Sequence, residues 1–438
     1  MGKPIEGAVI SVPSSWGIGQ LDALRKAAED AGIPVLQLAA EEGLAILGGE
    51  TGGPPKSNPD KAKPLHDRTT LVVDLGASTL TLNVLSIKQS LIHPLSSLTV
   101  PGLGGDTIDD ALIQHFAKEF TKKTKVALDL PAQTPEDRRA EAKLRLAVEH
   151  TKRTLSASSG AASCSVESLK EGVDFSGTIN RLRFDVLLAT LYGGIIKEVA
   201  NVLSAGGVEK EIIDEVLLVG GSAGLSGLAE KLELFFGEDS KVSIRSDLDT
   251  SQLIAKGAVV QAKLLTSLPQ ESPLHAAFAD ASEVVKVVAT SKPIGLIFPG
   301  SNENTIPVIL ISSETPLPAR RVVRLPVAAG ATKVGFEIWE GNHELKELPK
   351  PERAGDEDDE EEEYDEEPQK EAVVTKSEFL GALAVDVTPP PAPKKKGTQV
   401  ELAYIEIKVD VSIEGSVTVS SRQVKEGNEG DWVTFSTS

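Results

Sequence analysis

Three short stretches carry residue types that could hold a phosphorylated ligand. The first is Asp74-Leu75-Gly76-Ala77-Ser78-Thr79, where an apolar run delivers an acid and small residues then turn the chain sharply. Backbone N–H groups in such a turn approach phosphate oxygens closely, and the Ser78 and Thr79 hydroxyls add donors. The Asp74 carboxylate is the ligand type that a hard cation such as Mg2+ accepts, directly or through water. The second stretch, Val216 to Ser222, repeats the design, because an apolar run ends in Gly220-Gly221-Ser222. Two such units suggest a duplicated fold with a ligand between its halves, the second facing a ribose or phosphate at a helix start. The third lies on a helix, where Glu149, Lys152 and Ser156 are three and four apart, share one face and lie beside Arg153. That face could hydrogen-bond a purine and its ribose. Each stretch also has a plainer reading: a strand end with a hairpin turn, strand-to-helix packing, and a solvated helix face.

The second stretch admits a rival chemistry. Gly220-Gly221-Ser222-Ala223-Gly224 fits the G-x-S-x-G pattern of a nucleophile elbow, and Asp247 and His275 follow in the order a serine hydrolase needs. The chain has no HGGG-like oxyanion segment, and His275 falls in a Pro-flanked stretch, so this reading is weaker.

These residues need elements to position them. Gly7 to Val12 and Val35 to Leu38 have strand character, with helical spacing over Gln20 to Asp30 and Glu41 to Leu47. Gly48-Gly49 is expected to stop the last of these. Residues 50–67 are rich in Gly, Pro, Lys and Asp and are expected to be a flexible connection. Strands are then expected over Thr70 to Leu75, Leu80 to Ile87 and Glu215 to Val219. Long helices are expected over Asp106 to Lys122, Pro135 to Leu155, Phe184 to Ala205 and Ser251 to Leu265. Strands alternating with long helices make an α/β domain, expected in two parts, 1–49 as the remnant of one lobe and 68–265 as a second lobe with its closing helix. After a linker over 266–293 the grammar changes. Short strands with turn residues between them run over 294–424, the pattern of an all-β sandwich. An acidic insertion over 350–372 and a tail over 425–438 complete the expected division.

Composition bounds the function. The chain has 438 residues, too long for one core, and a formal net charge of −20. Asp356 to Glu367 alone holds eleven acids and no base, so the remainder carries only −9. No basic surface suggests direct nucleic-acid binding. A single cysteine, Cys164, rules out an internal disulfide and fits a reducing compartment. No signal pattern and no run of eighteen apolar residues is present, so the sequence is expected to be cytoplasmic with no membrane partner. The six histidines have no metal-ligand spacing.

In order and spacing these pieces resemble the heat-shock protein 70 family over nearly the whole chain. Asp74 to Thr79 resembles its second phosphate loop, and Gly104-Gly105-Asp106 with Phe116 resembles its glycine-led helix start. Glu149, Lys152, Arg153 and Ser156 fall where the family grips adenosine, and Gly220-Gly221-Ser222 resembles its second adenosine turn. Ala255 to Ala262 is similar to the closing helix. Glu337 to Gly341 and Ile405 to Asp410 are similar to strands of the peptide-binding sandwich. The resemblance implies an actin-like (ribonuclease-H-like) nucleotide-binding domain, N-terminally incomplete and entered partway through its first lobe, then a β-sandwich without a helical lid. It also implies ATP and Mg2+ as cofactors, with Asp74 at the metal.

The departures bear on activity. Ala77 and Ser78 replace two glycines of the phosphate loop. Thr81 stands where the family has an aspartate tied to hydrolysis, Glu42 replaces a proline of its conformational switch beside a retained acid at Glu41, and Gly224 replaces an arginine that stacks on adenine. Lys286 interrupts the apolar linker Glu283 to Val288. The resemblance is greatest to the atypical members that bind ATP with little or no hydrolysis. Those pair with a J-domain protein of the zuotin type at the ribosome, the ribosome contact being indirect, and assist the folding of nascent chains. The β-sandwich would receive nascent polypeptide or a partner peptide. The alternative is a conventional ATP-hydrolysing chaperone seen as a fragment.

Overall fold

The computed structural model describes residues 7–52, 67–88, 91–157, 160–237, 240–269, 271, 288–298, 308–327, 330–347, 370–388, 403–425 and 428–437. Two parallel strands open the chain, β1 (Ala8–Val12) and β2 (Val35–Ala40), with α1 (Ile18–Asp30) between them and α2 (Glu41–Glu50) after them. Then come β3 (Arg68–Leu75), β4 (Thr79–Lys88), β5 (Leu91–Pro101), α3 (Gly105–Thr124) and α4 (Pro135–Ala157). A hairpin follows, β6 (Ala161–Lys170) and β7 (Val173–Asn180), then α5 (Arg181–Ala205), β8 (Glu215–Val219), α6 (Ser226–Phe236), β9 (Ser243–Arg245) and α7 (Leu253–Ser267). The remaining elements are strands: β10 (Ile294–Ile297), β11 (Val308–Ile311), β12 (Ala319–Pro326), β13 (Lys333–Glu347), β14 (Lys370–Asp386), β15 (Tyr404–Val411), β16 (Val417–Lys425), β17 (Asn428–Glu429) and β18 (Val433–Ser436).

The chain divides into two units, Met1–Ile87 with Ile92–Val284, and Lys88–Leu91 with Val285–Ser438. The first is built on a five-stranded sheet in the order β5-β4-β3-β8-β9. Its centre is apolar because both faces are covered, and Leu71, Val73, Leu75, Val216 and Leu218 are all buried. One face packs on α3, α4, α5 and α6 through Ile108, Phe116, Phe120, Leu144, Val148, Phe184, Leu188 and Leu228. Edge-to-face contacts of Phe116 and Phe120 with Phe175 of β7, at 5.8 and 6.0 Å between ring centroids, fix α3 to the hairpin. Helix α5 is long and apolar enough to cross a membrane, yet Phe184, Leu188, Tyr192, Ile195 and Val199 lie in this core. The other face packs on α2 and α7 through Ala45, Ile46 and Leu253.

The Gly48-Gly49 pair does not stop α2, as the sequence suggests. Both glycines lie inside the helix and are buried. A Cβ on Gly48 would lie 2.0 Å from the Leu253 carbonyl oxygen, and one on Gly257 would lie 1.8 Å from that of Leu44. Gly48 and Gly257 let α2 and α7 cross backbone to backbone, while Gly49 faces the Leu217 side chain of β8. Tertiary packing overrides the helix-stop signal. For the same reason residues 1–49 do not stand apart from 68–265: α2 shares a core with β3, β4 and β8.

The second unit is two antiparallel sheets, β11-β10-β13-β14 and β12-β15-β16-β17, with β18 also on β16. Their inner faces share one core, in which Ile294, Ile311, Phe336, Ile338 and Leu383 of the first meet Ile405, Ile407, Val409 and Val419 of the second. That is the expected sandwich. The segment over 425–438 is more than a tail, because Val433–Ser436 pairs with Ser421 to Thr418 of β16. Most of the acidic insertion and of the linker, including Glu283 and Lys286, lies outside the described residues; 370–372 belong to β14.

Candidate functional site

The parallel pairing of β3 and β8 decides where the glycine turns fall. Register sets Asp74 opposite Val219, so the two strands end side by side at one edge of the sheet. The turn after β3 closes with Gly76 N–H donating to the Thr79 carbonyl at 3.0 Å. The turn after β8 is tied to it, since Ser222 N–H donates to the Leu75 carbonyl at 3.1 Å. Helix α3 begins directly against the first turn. Gly105 N–H donates to Gly76 O at 3.0 Å and Asp106 N–H to Ala77 O at 2.7 Å. A Cβ on Gly104 would lie 2.5 Å from Ala77 O, so only glycine allows this approach. Gly220 has φ +97, and a Cβ there would lie 2.5 Å from Asp74 Oδ1.

A cleft of about 1050 Å3 opens beside these turns. Of the residues singled out from sequence, Ala77, Gly105, Glu149, Lys152, Arg153, Ser156, Gly221 and Ser222 line it. Asp74, Gly76, Ser78, Thr79, Gly104 and Gly220 do not line it; they build the turns that carry the lining residues. Ala77, Ser78 and Gly221 are exposed, so their backbone groups are open to a ligand.

One wall of the cleft is the end of α4. Lys152 Nζ reaches Asp109 and Glu149, both at 2.7 Å, and Arg153 Nε donates to Glu149 Oε1 at 2.8 Å. Burial pulls the Lys152 ammonium down, but its two ion pairs outweigh that and hold its pKa above the usual lysine value. Glu149 is held below the usual carboxylate value, chiefly by its bond to Lys152. Ser156 Oγ donates to the Lys152 carbonyl at 3.0 Å. The other wall is the start of α6 with Ser246, Leu248, Asp249 and Thr250. Thr250 holds Gly220 of the second turn twice: Gly220 N–H donates to the Thr250 carbonyl at 3.0 Å, and the Thr250 hydroxyl donates to Gly220 O at 2.9 Å.

Asp109, Thr250, Glu230 and Glu233 are cleft residues that sequence reasoning missed. Asp109 was legible as the acid three beyond Asp106 on the face that meets α4. Thr250 sits in a loop whose path no periodicity reveals, and Glu230 and Glu233 lie on α6, a helix to which the sequence reading assigned no residues.

Asp74 lines a separate cavity of about 10 Å3, room for one water, together with Ser14, Glu41, Glu42, Thr81 and Asn83. Burial raises the Asp74 pKa. Glu41 is raised by burial first, then by the negative charges of Asp74 and Glu42. The Asn83 side-chain oxygen is buried without a hydrogen-bond partner. Among the described residues no three His, Cys, Asp or Glu converge as a metal cage. A cation here would therefore take most of its ligands from water and ligand oxygens, with Asp74 as the protein carboxylate.

Of the hydrolase arrangement, only Ser222 and Asp247 lie among the described residues. His275 lies outside the described residues, and Asp247 is engaged by Arg245 Nε at 3.0 Å.

Similarity to known proteins agrees with this geometry. The family model for Hsp70 protein matches residues 1–281. This chain belongs to the Hsp70 family. Its first unit is the actin-like nucleotide-binding domain of that family, and the β-rich region follows it. A heat shock protein 70 homolog of Schizosaccharomyces pombe is 32% identical over 96% of this chain and 70% of its own length. The ribosome-associated complex subunit SSZ1 of Saccharomyces cerevisiae is 28% identical over 98% of this chain and 74% of its own length. A ribosome-associated molecular chaperone of Eremothecium gossypii is 32% identical over 78% of this chain, and the match spans about half of its length (51%).

Proposed function

We propose that this chain is an Hsp70-family co-chaperone that binds MgATP in the cleft between α4 and α6 and hydrolyses it slowly or not at all. The observation that carries this reading is the convergence on one cleft of two glycine turns and a charged helix, taken from stretches far apart in sequence. Backbone N–H groups around Ala77 and Gly221 would meet the phosphates. Lys152, Glu149 and Ser156 would meet the adenosine. Mg2+, when bound with the nucleotide, would neutralise charge on the phosphates, and Asp74, beside the first turn but not lining the cleft, would help hold it through water.

Slow turnover follows from the residues opposite Asp74. In the β3–β4 ladder Asp74 pairs with Thr81, a hydroxyl with no base strength at neutral pH. The exposed Ala77 and Ser78 add side chains to a turn that phosphate must approach closely. Similarity to SSZ1 supports a role beside a J-domain partner of the zuotin type at the ribosome in the cytoplasm, with nascent polypeptide or a partner segment at the sandwich. Isothermal titration of the full chain with MgATP, followed by a single-turnover assay, tests the reading. Saturable one-site binding with little product is expected. Peptide-stimulated turnover at conventional rates refutes it, and absence of binding refutes it more broadly.

A further inference from the structure

Arg181, the first residue of α5, joins the two walls of the cleft. Its Nη1 donates to the Leu155 carbonyl at 2.6 Å, one residue from Ser156 at the end of α4. Its Nη2 donates to Ser226 Oγ, the first residue of α6. Its Nε donates to Asp185 Oδ2 at 2.9 Å. Asp185 is held in turn, since Tyr192 OH donates to its Oδ1 at 3.2 Å and Gly227 leaves no room for a Cβ, which would lie 2.6 Å from that oxygen. The Arg181 side chain is 15% exposed and does not line the cleft. A planar, permanently charged fork in a partly dry site holds three acceptors in one geometry, which a lysine cannot do.

We propose that Arg181 is a positioning residue that sets the width of the adenosine end of the cleft and so its selectivity for an unsubstituted purine. The inference rests on the nucleotide reading above. Arg181 touches no ligand; it acts through the end of α4 and the start of α6, which carry Arg153, Ser156, Ser226 and Glu230. Loss of its fork frees the two helix ends to separate. An adenosine then loses contact on one side, while a purine with a bulky N6 substituent gains room.

The test is equilibrium binding of ATP, of N6-benzyl-ATP and of inorganic tripolyphosphate, each with Mg2+, to the full chain and to Arg181→Gln, Arg181→Lys and Ser226→Ala. The expected result for Arg181→Gln is ATP binding weakened about tenfold, the scale of one lost charge-assisted hydrogen bond. Its discrimination against N6-benzyl-ATP should fall by a similar factor, and tripolyphosphate binding should be unchanged. Ser226→Ala, which cuts only the α6 arm, should move in the same direction by less, and Arg181→Lys should rescue in part. Ser226→Ala and Arg181→Lys decide the matter if Arg181→Gln fails to fold. Uniform weakening of all three ligands means a general structural role and overturns the inference, as does unchanged discrimination. Failure of the unsubstituted chain to bind ATP removes the nucleotide reading and this inference with it.

Discussion

Gly220 and Gly221 are neighbours in sequence, but the structure gives them opposite sensitivities. Gly220 sits at φ +97, a backbone that costs an L side chain about 1–2 kcal/mol. A Cβ there would also lie 2.5 Å from both Asp74 Oδ1 and the Leu75 carbonyl oxygen, well inside ordinary contact. The Asp74 side chain can rotate away, but Leu75 O is fixed by the Ser222 N–H, so the overlap adds about 1–3 kcal/mol of overpacking. Gly220→Ala should therefore cost about 3 kcal/mol, lowering the unfolding temperature of a unit of this size by about 6–12 °C. Gly221 has ordinary φ, and a Cβ there would meet no atom within 4 Å, so Gly221→Ala should change stability by less than about 0.5 kcal/mol. Gly221 lines the cleft, so the same variant should still weaken nucleotide binding. Thermal unfolding followed by circular dichroism, paired with titration calorimetry, reads both effects. The reasoning fails if Gly220→Ala melts within a degree of the parent chain, or if Gly221→Ala melts as low as Gly220→Ala.

Three further outcomes follow from packing and burial around α2. Gly257→Ala puts a methyl 1.8 Å from the Leu44 carbonyl oxygen and should separate α7 from α2, seen as a lower melting temperature and faster proteolysis within 253–267. Gly43→Ala, in the same α2 but with open space, should instead stabilise by about 0.5–1 kcal/mol. Glu42 is buried and its pKa is raised by burial, so its ionisation at neutral pH opposes folding. A raised folded pKa means the native state binds the proton more tightly, so stability falls as pH rises from the ordinary value of 4.5 through the raised one. Glu42→Gln removes that loss; it should raise the melting temperature at pH 7, with the gain vanishing below pH 4.5. A variant that melts lower at pH 7, or whose gain is the same at every pH, contradicts this assignment.

The α/β grammar, the sandwich and the lining residues that α4 supplies were legible in the sequence, because periodicity and glycine turns are local signals. The hairpin β6–β7 was not read, although Ala162, Cys164 and Val166 alternate with exposed residues; small and polar side chains weaken the pattern. Helix α2 was cut short at Gly48-Gly49, because Gly48 answers to Leu253 of α7 and Gly49 to Leu217 of β8, both far away in sequence, and not to their neighbours. The division of labour among the site residues was also hidden. Gly220 looks like a ligand contact in sequence, but it shapes the second turn, and Asp74 lines a small acidic cavity and not the cleft itself. The opposite wall, from Ser226 to Thr250, depends on how β9 and α6 return to the cleft, which is a matter of topology.

The central claim is that an adenine nucleotide lies between the end of α4 and the turn after β8. Photolabelling of the full chain with 8-azido-ATP and Mg2+, followed by peptide mapping, addresses that placement directly. The account predicts ATP-protected label on peptides covering 149–157 or 221–233. Label confined to other peptides, or label that excess ATP does not suppress, would contradict it.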